Sequence, residues 1–216
     1  MKYGFIGCGN MGGAIAKAVA TKCDDLAVTD RSGTTLNSDP AELKVSPFAD
    51  TDGGAYYAQP LLWALDKGIT TGTSETTFSP DADTTRGQLM TVLARLSGED
   101  FYGAGATAKG AEWATEKGLS DGTDVNKAIT REQMATIIHR YMKFKGLDMS
   151  VSENVDVTSY EDFENISDYA KEAFRFACSN GIISGTSETT LAPKESATRA
   201  QMAAIFQRCE KVLLNQ

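Results

Sequence analysis

Three arginines stand in one repeated setting: Thr85-Arg86-Gly87-Gln88, Thr130-Arg131-Glu132-Gln133 and Thr198-Arg199-Ala200-Gln201. A guanidinium is a permanent charge on a planar fork of donors, suited to gripping a carboxylate. The rest of each phrase has a structural job. The Thr hydroxyl can cap the amide three residues on while the Gln side chain reaches back to the cap residue, a capping box that starts a helix. Apolar residues at helical spacing follow each box: Leu89, Val92, Leu93 and Leu96; Met134, Ile137, Ile138 and Tyr141; Met202, Ile205 and Phe206. Three amphipathic helices are predicted. A cation at the first helical position sits beside the positive end of the helix dipole, where an acid is favoured. Helix formation therefore leaves the arginine unexplained, and its threefold recurrence points to a ligand.

The rest of the chain narrows the chemistry. Net charge is −8, which argues against nucleic-acid binding through phosphate neutralisation, so an anionic ligand must be met by local cations. No run approaches the roughly 18 to 20 apolar residues of a membrane span. Cys8, Cys23, Cys178 and Cys209 are far apart and form no C-x-x-C pair, so neither a metal site nor a disulfide framework is signalled. The single histidine, His139, lies late in a predicted helix, where a solvated or dipole-facing role is expected and catalysis is not. No catalytic constellation emerges.

Aligning the chain on its boxes exposes a longer internal repeat. The first unit runs Phe48, Asp50, Trp63-Ala64, Gly68, Gly72, Phe78, Pro80, Arg86, Arg95; the second Phe101, Trp113-Ala114, Gly118, Gly122, Arg131, Arg140; the third Tyr160, Asp162, Phe176-Ala177, Gly181, Gly185, Leu191, Pro193, Arg199, Arg208. Each reads as helix, glycine-punctuated loop, helix. The first glycine of each pair suits a left-handed C-cap. One helix pair of this size buries too little apolar surface to stand alone, so the units should share a core. Arg95, Arg140 and Arg208 fall near helix ends, where the dipole favours a cation, and are read as structural.

This pattern resembles the S-layer homology module, with its Phe-x-Asp start, Trp-Ala in the first helix, Gly-Ile-x-x-Gly turn, F-x-P loop and Thr-Arg-x-Glu/Gln box. The resemblance implies a mainly α fold of three helix-loop-helix repeats in a pseudo-threefold bundle, at residues 48–97, 98–150 and 151–212. It implies binding of secondary cell-wall polysaccharide, often pyruvylated, in grooves between units. Carried over residue by residue, the ligand groups are Arg86, Arg131 and Arg199, the aromatics Trp63 and Trp113, and the loop glycines Gly72, Gly122 and Gly185. The second unit departs from the pattern: Gly103 replaces the acid, and its loop is shorter and lacks F-x-P. Its groove, and the middle arginine, are accordingly ranked below the others. The third unit has Phe176 where the others carry Trp.

Residues 1–36 have a different character. Met1 to Gly12 reads as a short strand entering a Gly7-x-Gly9-x-x-Gly12 turn, then a helix, then a strand over Leu26 to Thr29 that ends at Asp30. The stretch resembles the amino terminus of pyrroline-5-carboxylate reductase, a βαβ Rossmann-like start. That resemblance implies NAD(P) binding by Gly7, Gly9, Gly12 and Asp30. A dinucleotide domain needs on the order of 100 residues, and polar residues 37–47 read as a linker instead. The same stretch is open to reading as an export signal, with Ala18-Val19-Ala20 as a cleavage site, or as a fusion remnant.

Two functions from different classes follow. The leading expectation is a non-catalytic cell-wall anchoring module, at the surface of a bacterium if exported and cytoplasmic otherwise. The alternative is an incomplete NAD(P)-dependent oxidoreductase.

Overall fold

The helices begin where the boxes put them. In the computed structural model, which describes residues 46–151 and 156–215 and the short strand segments 28–29 and 35–36, six α-helices are found among the described residues. They are α1 (Ala58–Asp66), α2 (Arg86–Leu96), α3 (Ala106–Glu116), α4 (Arg131–Phe144), α5 (Asp168–Ser179) and α6 (Arg199–Leu214). Both arms of every capping box are present. Gln88, Gln133 and Gln201 donate their amides to the Thr85, Thr130 and Thr198 hydroxyls at 3.2, 3.3 and 3.2 Å. The Thr amides donate to the Gln side-chain oxygens at 2.9, 3.2 and 3.3 Å.

The first helix of each unit stops as expected. Gly68, Gly118 and Gly181 take left-handed φ of 66°, 68° and 64°, and the next amide turns back to the helix, from Ile69 to Ala64, Leu119 to Ala114 and Ile182 to Ala177, at 3.0, 2.8 and 2.8 Å. In the outer units the loop that follows is held by an acid near the start of the unit. Asp50 accepts from the amides of Phe78 and Ser79 at 2.8 and 2.7 Å, and Asp162 from those of Leu191 and Ala192 at 2.9 and 2.7 Å. The second unit lacks both the acid and the loop that the acid would hold, so the two departures are one structural change.

The two helices of a unit are not each other's main partner. α2 packs on α3, α4 on α5, and α6 returns to α1. Every second helix therefore packs on the first helix of the next unit, and the last closes the ring on the first. A cycle of backbone hydrogen bonds marks the axis. Thr84 donates to Ala197 at 2.8 Å, Ala197 to Ile129 at 2.9 Å, and Ile129 to Thr84 at 2.8 Å. These three residues precede the three boxes and are fully buried, where an unpaired amide would carry a desolvation penalty. The arrangement is the expected pseudo-threefold bundle of three helix pairs. One apolar core runs through it, from Leu89 and Leu93 through Ile138 and Tyr141 to Phe174, Phe176 and Phe206. A smaller cluster of Phe48, Leu61 and Phe78 lies under the first loop.

Of the amino-terminal expectation, Val28–Thr29 is seen as a strand paired antiparallel with Thr35–Leu36. Gly7, Gly9, Gly12 and Asp30, and with them the Rossmann-like reading, lie outside the described residues.

Candidate functional site

Each box arginine reaches out of its own unit into the loop of the next. Arg131 donates Nε to the carbonyl of Leu191 and Nη2 to that of Ser184, both at 2.8 Å. Arg199 repeats this on the first unit, with Nε to Phe78 at 2.8 Å and Nη2 to Thr71 at 2.7 Å. Arg86 sends Nε to the Thr123 carbonyl at 3.1 Å, but its Nη2 meets the Asp121 carboxylate at 2.7 Å and the Ser120 hydroxyl at 3.1 Å. The backbone explains this reach. The amides of Arg86, Arg131 and Arg199 donate to Lys127, Glu195 and Ala82, so the first turn of each box helix is stitched to the segment before the next box.

This exchange sets which loop each arginine faces. The short loop of the second unit lies against Arg86, while Arg131 faces the complete loop of the third. Sequence alignment shows which residues are equivalent; it does not show which unit each will face.

Arg131 opens onto a groove of about 380 Å³ whose lining includes Tyr56, Ser184, Gly185, Thr186, Gln201 and Arg208. It draws on all three units: Tyr56 comes from the first, Arg131 from the second, and the loop with Arg208 from the third. Arg131 is only 5% exposed, and burial lowers its pKa from the ordinary arginine value. Its bonds go to carbonyls and, at 3.5 Å, to the Gln201 side-chain oxygen, and no carboxylate among the described residues forms an ion pair with it. The guanidinium is hydrogen-bonded but not ion-paired, with Glu195 and Asp162 acting on it only at longer range. Tyr56 is 63% exposed, the most exposed of the described aromatics. The groove thus offers two cations, an open aromatic face, and hydroxyl and amide groups.

The Arg199 site differs. Its guanidinium also lacks a carboxylate ion-pair partner among the described residues and sits 4.6 Å over the Phe78 ring, but Ala106 occupies the position equivalent to Tyr56. Nearby, Arg95 is covered by Tyr102, whose ring centroid is 4.3 Å from the guanidinium carbon.

The remaining expected ligand groups fall in several places. Trp113 is 6% exposed within the core and meets Phe144 edge-on. Trp63 is partly buried and donates its indole N–H to Glu210 at 2.6 Å, tying α1 to α6. Neither lines the Arg131 groove. Gly185 does, and it has to be glycine, because a Cβ there would run into the Ser187 carbonyl and lie 2.8 Å from that of Thr190, backbone that cannot swing aside; Gly72 is in the same position against the carbonyls of Ser74 and Thr77, the latter at 2.7 Å. Gly122 instead needs its left-handed φ of 71°. His139 is half-buried and lies inside α4, more than a turn from its end. Its ring packs edge-on to Phe176 at 5.2 Å, its Nε2 is buried without a partner, and burial lowers its pKa. Cys178 and Cys209 are free thiols, pushed up to about 11 and about 12 by burial.

Tyr56 and Arg208 escaped the sequence reading. Arg95, Arg140 and Arg208 donate to the carbonyls of Ile69, Leu119 and Ile182, each the residue after the C-capping glycine of its own unit. Arg140 and Arg208 lie before the last turns of α4 and α6, so these bonds to the turn, and not the helix dipole, hold them, and Arg208 faces the groove as well. The signal for Tyr56 was its place seven residues before Trp63, matched by Tyr169 before Phe176.

Comparison with known proteins agrees with this architecture. The family profile described as S-layer homology domain matches residues 47–90 and 159–203. An amylopullulanase from Thermoanaerobacterium thermosulfurigenes is 30% identical over 165 residues, covering 67% of this chain and 9% of that protein. The exoglucanase XynX of Acetivibrio thermocellus is 31% identical over 165 residues, covering 67% and 15%. A cellulosome-anchoring protein of Acetivibrio thermocellus is 28% identical over 151 residues, covering 61% and 33%. The chain spans a third or less of the length of each of these relatives. The middle helix pair lies outside the two matched stretches and shares their plan through its fold. On these matches the chain contains S-layer homology domains, at residues 47–90 and 159–203.

Proposed function

We propose that residues 48–212 form a non-catalytic anchoring module that holds its bearer at a bacterial cell surface by binding anionic secondary cell-wall polysaccharide. The observation that carries this reading is the Arg131 groove, where two guanidiniums stand beside an open tyrosine face and no carboxylate among the described residues forms an ion pair with Arg131. A carboxylate such as a pyruvyl ketal on a sugar fits the guanidinium fork, and a sugar ring fits the apolar face of Tyr56. The kinship with a cellulosome-anchoring protein supports the same reading. Arg131, Arg199 and the loop glycines then shape the grooves, and Trp63 and Trp113 support them from behind.

Co-sedimentation with purified bacterial wall sacculi tests the proposal. The full chain is expected to pellet with untreated sacculi and to stay in solution when the polysaccharide has been stripped. Arg208→Ala should weaken retention about tenfold, as expected for one charged hydrogen bond. No retention by the intact chain refutes the proposal.

The Gly7-x-Gly9-x-x-Gly12 stretch with Asp30 supports a second, separable reading as an NAD(P)-binding remnant. Titration with NADH and NADPH, followed by nicotinamide fluorescence, tests it; no response at millimolar cofactor excludes it.

A further inference from the structure

The surroundings of Arg86 repeat several groups of the Arg131 groove. Counted from the boxes, Gln133 stands where Gln201 does and Arg140 where Arg208 does; Tyr169, 55% exposed, stands where Tyr56 does. Arg140 bonds the Leu119 carbonyl as Arg208 bonds that of Ile182, and Arg86 is near enough to Tyr169 to act on its hydroxyl. The Tyr169 hydroxyl bonds Glu132 at 3.0 Å, and the charge of Glu132 is met by Lys194 at 2.8 Å.

Besides the shorter loop, the difference in charge at the arginine itself lies three residues after the C-capping glycine. There Nη2 of Arg199 and Arg131 finds the backbone carbonyls of Thr71 and Ser184, whereas Nη2 of Arg86 finds the side-chain carboxylate of Asp121. Asp121 is held for that contact, accepting from the Thr123 amide and hydroxyl at 3.0 Å each. Those bonds, the amide first, keep its carboxyl below the usual carboxylate range, so it stays charged at neutral pH.

We infer that Asp121 is a built-in occupant of the Arg86 site: its carboxylate takes the guanidinium that an anionic ligand would take, and this side chain decides whether that site is open to one. The inference rests on the anion-binding reading of the grooves. An exposed ion pair contributes little to stability, yet as a competitor it is effective, because a tethered carboxylate acts at a high effective concentration that a free ligand must overcome. The module therefore binds asymmetrically despite its threefold frame.

The test is calorimetric titration of the full chain with methyl 4,6-O-(1-carboxyethylidene)-glucopyranoside, a pyruvylated monosaccharide. Asp121→Ser, which copies the third unit, and Asp121→Asn, which keeps the shape and removes the charge, should each raise the number of sites per chain by one. The NMR signal of the Arg86 Nε–H should shift with saccharide in these variants and stay still in the wild type. An unchanged site number in both variants, with wild-type binding intact, overturns the inference alone. A wild-type chain that binds no saccharide overturns the groove reading beneath it.

Discussion

Arg199 and Phe78 are joined twice across 121 residues of chain: the guanidinium donates Nε to the Phe78 carbonyl at 2.8 Å and lies 4.6 Å over its ring. Through this contact the third unit closes onto the first. Because a lysine amine cannot reproduce the two-donor fork that also holds Thr71, Arg199→Lys should cost about 2 kcal/mol, or a fall in Tm of about 5 °C in a chain of this size. Arg86→Lys should cost less than about 1 kcal/mol, because its carboxylate partner is open to solvent. Thermal unfolding followed by circular dichroism compares the two, and equal losses would contradict the closure role.

Trp63→Phe separates support from ligand contact. The substitution removes the indole bond to Glu210, a hydrogen bond to a charged acceptor that contributes about 1.5 to 3 kcal/mol. It is expected to lower stability in urea by that order while leaving sacculus binding unchanged. Selective loss of binding would return Trp63 to the ligand site.

Asp50 gives the fold an acid-sensitive latch. The Phe78 amide, first among its causes, holds its carboxyl below the ordinary value. The sign follows from linkage: with the folded value depressed, the stabilisation is complete above the unfolded value of about 3.9 and is lost as pH falls through the folded value. Asp50→Asn should therefore be less stable than the wild type at pH 7, with the gap closing below about pH 4. Denaturation curves at pH 7, 5 and 3 check this, and a gap that widens on acidification would contradict it.

Gly110 sets how closely α2 and α3 approach. A Cβ at this position would stand 2.7 Å from the Thr91 Cα and 2.8 Å from its amide nitrogen, both backbone atoms that cannot swing aside. Gly110→Ala should destabilise by about 1 to 3 kcal/mol through overpacking, despite the better helix propensity of alanine. Urea denaturation measures it, and a stabilised variant would show that the helix pair can separate freely.

The sequence by itself determined the local devices. Thr85, Thr130 and Thr198 with their glutamines start helices, and Gly68, Gly118 and Gly181 end them, because caps and left-handed turns are decided among residues four or five apart. The threefold plan was legible in the repeats for the same reason. Only the tertiary structure decided which groups meet. Each box arginine lands on the loop of the following unit, so Arg131 gained the complete loop and Arg86 the one carrying Asp121. Trp63 and Trp113 do not line the Arg131 groove, while Tyr56 and Arg208 do. The physical reason is that the helices exchange partners around a closed ring. Spacing along the chain fixes equivalence between units, and packing between distant helices fixes adjacency.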